Sequence, residues 1–248
     1  MTDELQLLVE SLAGIERGPA LDGLAARWLS ERTPEEAARS LDRLVGRPGL
    51  DQRQRKTLEA LARAVLFGPP PLTDERRRAI RAAAFALGFG AVAALFTEAS
   101  PALVRDEDAR RLDPLMGSLS LGHRKQLARL ERSPDRLVRL GNDDDPTVIR
   151  NLLDNPRLTE ALVVRIAARR PIAEAVLVEV GRSRRWSVRA TVRRALALNP
   201  YSPPALVNLL LPHLVGEDLS AVAETESLHP AVRAAARALL SARRQEVD

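Results

Sequence analysis

Nine residues between positions 165 and 193 carry the chemistry this chain offers most openly: Arg165, Arg169, Arg170, Arg182, Arg184, Arg185, Trp186, Arg189 and Arg193. A guanidinium presents a planar fork of donors that matches carboxylate and phosphate oxygens, and an indole face can stack on a base. On predicted helices Arg165 and Arg169 stand four apart, as do Arg189 and Arg193, which puts each pair on one helix face. The stretch 155–194 holds ten arginines against three acids. Two readings stand. Either the cluster receives an acidic protein surface or a phosphate backbone, or it is a solvated outer face whose arginines complete helix C-termini, where cations satisfy carbonyls and the dipole. Arg150 and Arg194 occupy one place in two copies of a repeat, which favours a structural bridge to a neighbouring helix.

Other constellations yield less. Asn142-Asp143-Asp144-Asp145 holds three consecutive acids whose side chains diverge, and no EF-hand spacing follows, so a helix N-terminus is expected rather than a cation site. Gly88-Phe89-Gly90 opens like a dinucleotide fingerprint but lacks the preceding strand. His123, His213 and His229 are isolated, no serine sits in a nucleophile elbow, and no phosphate loop is present. The absence of cysteine excludes disulfides, zinc–thiolate and iron–sulfur centres and thiol nucleophiles. The expectation is a non-enzyme with no catalytic residue, metal ligand or cofactor.

The elements that must position these residues are helices. Leu, Ala and Arg dominate and aromatics make up 3%, a mixture that favours helix and gives strands little to work with. Thr2 can cap a first helix, Pro19 opens a second, and Thr33-Pro34 and Thr73-Asp74 each pair a cap with a helix start. A helix over 51–67 ends at Gly68-Pro69-Pro70-Pro71, and another covers 106–116. The longest uncharged run, Ala82 to Thr97, is short of the roughly 20 residues that span a bilayer; it reads as two buried helical segments meeting at Gly88-Phe89-Gly90. With MTDELQLLVESLAG lacking the plan of a signal peptide, a cytoplasmic protein without a membrane span is expected. Net charge is +5; residues 1–124 balance at 18 basic and 18 acidic side chains, and residues 125–248 supply the excess.

An internal repeat organises the second part. TVIRNLLDNPRLTEALV from Thr147 returns as TVRRALALNPYSPPALV from Thr191, an offset of 44 residues with nine identities, and HPAV from His229 echoes DPTV from Asp145. Asp145-Pro146 and Ser202-Pro203 each set a capping side chain before a proline, whereas Asn155-Pro156 and Asn199-Pro200 end a helix. Apolar pairs such as Val148 and Leu152, or Val192 and Leu196, put one stripe per helix toward its neighbours. Asp145 to Ala167 resembles the variant leucine-rich repeat, within the HEAT-like and armadillo-like α-solenoid class. The likeness is good over 145–167, fair over 187–211 and partial over 229–240, and 171–183 inserts an additional helix.

The resemblance implies an all-α superhelix of stacked antiparallel helical pairs, with repeats over 118–244; residues 1–117, which do not share the repeat pattern, are expected to form an N-terminal helical segment. Function is expected to be that of a non-catalytic scaffold binding an acidic protein partner through a concave, Arg-rich face. The alternative is a nucleic-acid-binding solenoid that is similar to HEAT-like DNA glycosylases in binding mode but carries no matching catalytic motif. That alternative requires the arginines to converge on the concave face.

Overall fold

The computed structural model describes residues 3–45, 47, 50–67, 71–96, 99–104 and 113–245, and every described element is helical. The helices are α1 (Asp3–Ala13), α2 (Pro19–Glu31), α3 (Pro34–Val45), α4 (Gln52–Phe67), α5 (Asp74–Ala86), α6 (Gly90–Leu95), α7 (Pro114–Gly117) and α8 (Leu121–Leu130). They continue as α9 (Pro134–Leu140), α10 (Pro146–Leu153), α11 (Glu160–Ala168), α12 (Glu174–Arg182), α13 (Ala190–Ala197), α14 (Pro204–Leu210), α15 (Gly216–Glu224) and α16 (Pro230–Gln245). The predicted Thr2 cap, most of the Gly68–Pro71 break and most of the predicted helix at 106–116 lie outside the described residues.

Helix starts follow the local chemistry. Thr33 and Glu36 form a reciprocal box at α3: the Glu36 amide donates to the Thr33 hydroxyl at 3.3 Å and the Thr33 amide to Glu36 Oε2 at 2.9 Å. Asp51 and Gln54 do the same at α4. Thr73 caps α5 and Asp113 caps α7. At the other end of α5 the chain passes through Gly88 at φ +77°, where the Phe89 amide reaches the Ala84 carbonyl and the Gly88 amide reaches that of Phe85. This left-handed stop needs glycine and separates α5 from α6 where the sequence predicts a break. The run is not buried throughout, however: Phe85 is 81% exposed, because α5 turns only its Ile80, Ala83 and Ala84 side inward.

Contacts divide the chain into two compact units: Met1–Ala99 with Pro204–Asp248, and Ser100–Pro203. The sequence pattern places a boundary between 117 and 118. In the first unit α1 and α2 pack on α4, α3 on α5, and α5 on α6, while α16 packs on α6, α14 and α15. Asp22 on α2 and Arg63 on α4 form a buried pair at 3.2 Å, and Asn208 on α14 donates to the Ala94 carbonyl of α6 at 2.7 Å. The 229–240 segment thus joins the N-terminal helices. It keeps one trait of the repeat: His229 Nδ1 accepts the Ala231 amide at 3.1 Å, as Asp145 accepts that of Thr147 at 2.8 Å.

In the second unit α8 packs on α10 and α10 on α12, while α11 packs on α13. The stripes face inward as predicted, with Val148, Leu152, Val192 and Leu196 fully buried. Ser202 departs from expectation. Its hydroxyl donates back to the Leu196 carbonyl at 2.7 Å, and the following helix starts one residue later, at Pro204. Among the described residues no helix is long and apolar enough to cross a membrane.

Candidate functional site

The second unit is held at its joints by side chains that donate to main-chain carbonyls. Asn155 is buried, and its Nδ2 donates to the carbonyls of Ala128 at 2.9 Å and Glu131 at 3.0 Å, while its Oδ1 accepts the Arg157 amide at 2.8 Å. Asn199 repeats the arrangement: Nδ2 donates to Ala167 at 2.7 Å and Arg169 at 3.0 Å, and Oδ1 accepts the Tyr201 amide at 3.0 Å. A primary amide suits this work because one group supplies two donors and an acceptor. The Asn-Pro step therefore stops its own helix and also ties it to carbonyls left without intrahelical partners at the end of an earlier one, α8 or α11.

The acidic run has three separate tasks. Asp143, whose side chain is 0% exposed, pairs with Arg124 at 2.6 Å and accepts the Asp145 amide. Asp144 pairs with Arg169 at 2.9 Å. Asp145 caps α10 through the amides of Thr147 and Val148. Burial pushes the Asp145 carboxyl up, but the Thr147 hydroxyl and amide, the Val148 amide and the nearby Arg124 outweigh it and hold the group below its ordinary range.

The nine predicted site residues are distributed over these joints. Arg169 donates to the carbonyls of Gly141 and Asp143, each at 3.2 Å, besides its pairing with Asp144. Arg170 donates to the Leu198 carbonyl at the end of α13. Arg185 donates to the Asn155 carbonyl at 3.1 Å and covers the Trp186 ring at 4.4 Å from its centroid. Trp186 is 4% exposed, and its indole N–H donates to the Leu153 carbonyl at 2.8 Å, so it packs between helices and offers no platform for a base. Arg193 donates to the Ser187 carbonyl at 2.8 Å, Arg182 lies 3.7 Å from Glu179, and Arg189 lies 3.9 Å from Glu160. Arg184 is half-buried. Arg165 is exposed and makes no hydrogen bond or ion pair among the described residues.

Neither expected facing pair lies wholly within a helix. Arg169 is the C-cap of α11 with ψ 141°, and Arg189 is the N-cap of α13 with ψ 128°, so one member of each pair stands in extended backbone off the helix. Four-residue spacing places side chains on one face only while both residues are helical. Arg150 does bridge to a neighbouring helix, as its repeat position suggests: it grips Glu179 of α12 with two bonds at 2.8 and 2.6 Å. Replacing Arg169 with Ala should lower stability by about 1–3 kcal/mol, since it strips partners from a half-buried carboxylate and two carbonyls. Arg165→Ala should stay within about 0.5 kcal/mol. Urea unfolding of both variants measures the contrast, and equal losses would contradict it.

Comparison with protein-family models, with curated proteins and with solved structures returned no match. The geometry must therefore speak for the site. It adds one surface that the sequence reading passed over. His123, Gln126, Leu127 and Leu130 recur at helical spacing along α8 and, with Leu119 just before it and Glu131 and Arg132 just after, line an open groove of about 610 Å³. Leu130 is 63% exposed there. The Glu131 carboxylate is already engaged by the Ser133 amide at 2.9 Å, the Arg132 amide at 2.8 Å and Arg136, and these hold its carboxyl below the ordinary range. The side chains of Arg129 and Arg132 are exposed and make no hydrogen bond or ion pair among the described residues. Leu127 and Leu130, three apart on a helix otherwise rich in polar residues, were the available signal.

Proposed function

We propose that this chain is a non-catalytic, HEAT-like helical-repeat scaffold, its second unit built as a solenoid of helix pairs, and that it binds a protein partner carrying an acidic, amphipathic segment. The observation that carries the reading is the α8 groove, an apolar furrow edged by the guanidinium of Arg132, which has no partner among the described residues, with that of Arg129 exposed on α8. Charge supports the same partner. Residues 100–203 hold 20 basic and 13 acidic side chains, and Asp113, Glu131, Asp143, Asp144 and Glu179 are all paired with arginines of the same unit. The net excess of this unit is therefore positive, and positive surfaces steer acidic partners. The repeated asparagine joint supports the scaffold part of the reading, because stacked units stabilised by nearest-neighbour contacts present extended surfaces.

Phosphate recognition is the weaker reading here. Arg169, Arg170 and Arg185, expected to converge, donate instead to main-chain carbonyls, and Trp186 is buried. Affinity capture with the full chain tests the proposal. An acidic protein should be retained at low salt, released as salt rises, and held at least about tenfold more weakly by Leu130→Asp combined with Arg132→Glu. Both positions are exposed, so a thermal melt should leave the variant folded. Equal capture by wild type and variant, or retention of nucleic acid instead, would reject it.

A further inference from the structure

A second hollow, of about 180 Å³, lies within the first unit between α4, α5, α6 and α14. Its walls are apolar: Val65 and Leu66 from the last turns of α4, Leu95 and Phe96 from the end of α6, and Ala205 from α14. Val65, Leu95 and Phe96 are buried in the packing of the unit, so the walls are fixed rather than mobile surface groups. Three guanidiniums border the hollow, from Arg77, Arg78 and Arg81. Arg77 is anchored, donating to the Val65 carbonyl at 3.0 Å and pairing with Asp74. Arg78 and Arg81 are exposed and make no hydrogen bond or ion pair among the described residues.

The arginines gather positive charge at the rim of an apolar hollow. Arg77 and Arg81 stand four apart on α5, and Arg78 and Arg81 three apart, so like charges neighbour one another on a helix surface. Among the described residues the one carboxylate paired with these arginines is Asp74, on Arg77, while Glu75 stands three before Arg78 on the same helix. An anion placed between Arg78 and Arg81 would turn repulsion into attraction, with the planar fork of each guanidinium suited to carboxylate oxygens. The apolar walls set the rest of the ligand. A bare inorganic anion would leave them uncovered and would surrender its hydration against groups that cannot replace it. A cavity of this size holds a body about as large as a benzene ring.

We infer that this hollow binds a carboxylate carried on a short apolar body, either a free aryl or branched-chain acid or the C-terminal residue of a peptide. Arg78 and Arg81 hold the carboxylate, and Ala205 leaves room for the body. The inference is independent of the groove on α8.

Benzoate and its uncharged counterpart benzamide are the probes, titrated into the full chain and followed by saturation-transfer NMR and calorimetry. Benzoate should bind, and benzamide should bind at least about tenfold more weakly. Arg78→Gln with Arg81→Gln should weaken benzoate by at least about tenfold without changing the thermal melt, since both residues are exposed. Ala205→Leu should abolish binding by filling the space while every arginine remains. Should that variant fail to fold, the arginine pair still decides. A tripeptide Gly-Gly-Phe with a free carboxyl group separates the sources: tighter binding than benzoate assigns a chain terminus, and weaker binding assigns a free acid. The inference is overturned if benzoate does not bind at about 10 mM, if benzamide binds equally, or if the arginine variant binds as wild type does.

Discussion

Replacing Arg124 with Ala should cost the second unit about 3–5 kcal/mol. Arg124 on α8 meets Asp143 at 2.6 Å, and the aspartate side chain is wholly removed from solvent. Two charges brought out of water lose hydration that only close pairing restores. Removing one leaves the other buried and uncompensated. Asp143 also accepts the Asp145 amide, so it cannot simply rotate toward solvent without releasing the turn that starts α10. Urea unfolding read by helical circular dichroism gives the loss directly. The double change Arg124→Leu with Asp143→Asn should recover most of it, because a neutral amide still accepts the turn hydrogen bond and no lone charge remains. A loss below about 1 kcal/mol in Arg124→Ala would mean that water reaches Asp143.

Asn155→Ala should be nearly as damaging, at about 2–4 kcal/mol, and Asn199→Ala should match it. Each substitution deprives two carbonyls and one amide of partners at a buried position. Asn155→Asp should be worse than Asn155→Ala, since the carboxylate turns an acceptor toward the Ala128 and Glu131 carbonyls where a donor stood. Hydrogen exchange adds a local readout: amides at the C-terminal end of α8 should lose protection in the Asn155 variants before those of α13 do. If the two alanine variants differ by more than about 2 kcal/mol, the joints are not equivalent and the repeat has diverged in energy as well as in sequence.

Much of this architecture was legible in the sequence because it is written locally. Pro19, Thr33-Pro34, Thr73-Asp74 and Asp145-Pro146 mark helix starts by chemistry that acts within one turn, and the two Asn-Pro steps mark ends. The offset of 44 residues marked equivalent places, so Arg150 was read as a bridge from its position alone. The partner of that bridge, Glu179, was not legible, since it lies 29 residues away on the inserted helix. The Arg169 and Arg189 pairings misled for a related reason. Spacing on a helix has meaning only inside its boundaries, and both residues fall on the boundary itself. The association of α14 and α16 with α4 and α6 is still less visible, because a contact across more than a hundred residues, such as Asn208 with Ala94, leaves no periodic trace. The two hollows share that obscurity. Each depends on how helices distant in sequence or separated by turns pack, which no local pattern records.

The asparagine joint has a consequence for how such a chain can change. Its acceptors at Ala128, Glu131, Ala167 and Arg169 are main-chain oxygens, which every amino acid carries. Whatever side chains occupy those four positions, the joint persists as long as the asparagine and the path of the backbone are kept. A duplicated segment could therefore inherit its fastening from one residue while the exposed positions around it drift toward new partners. Duplication followed by surface drift is open to a chain built this way, and far less so to one whose joints rely on matched pairs of side chains.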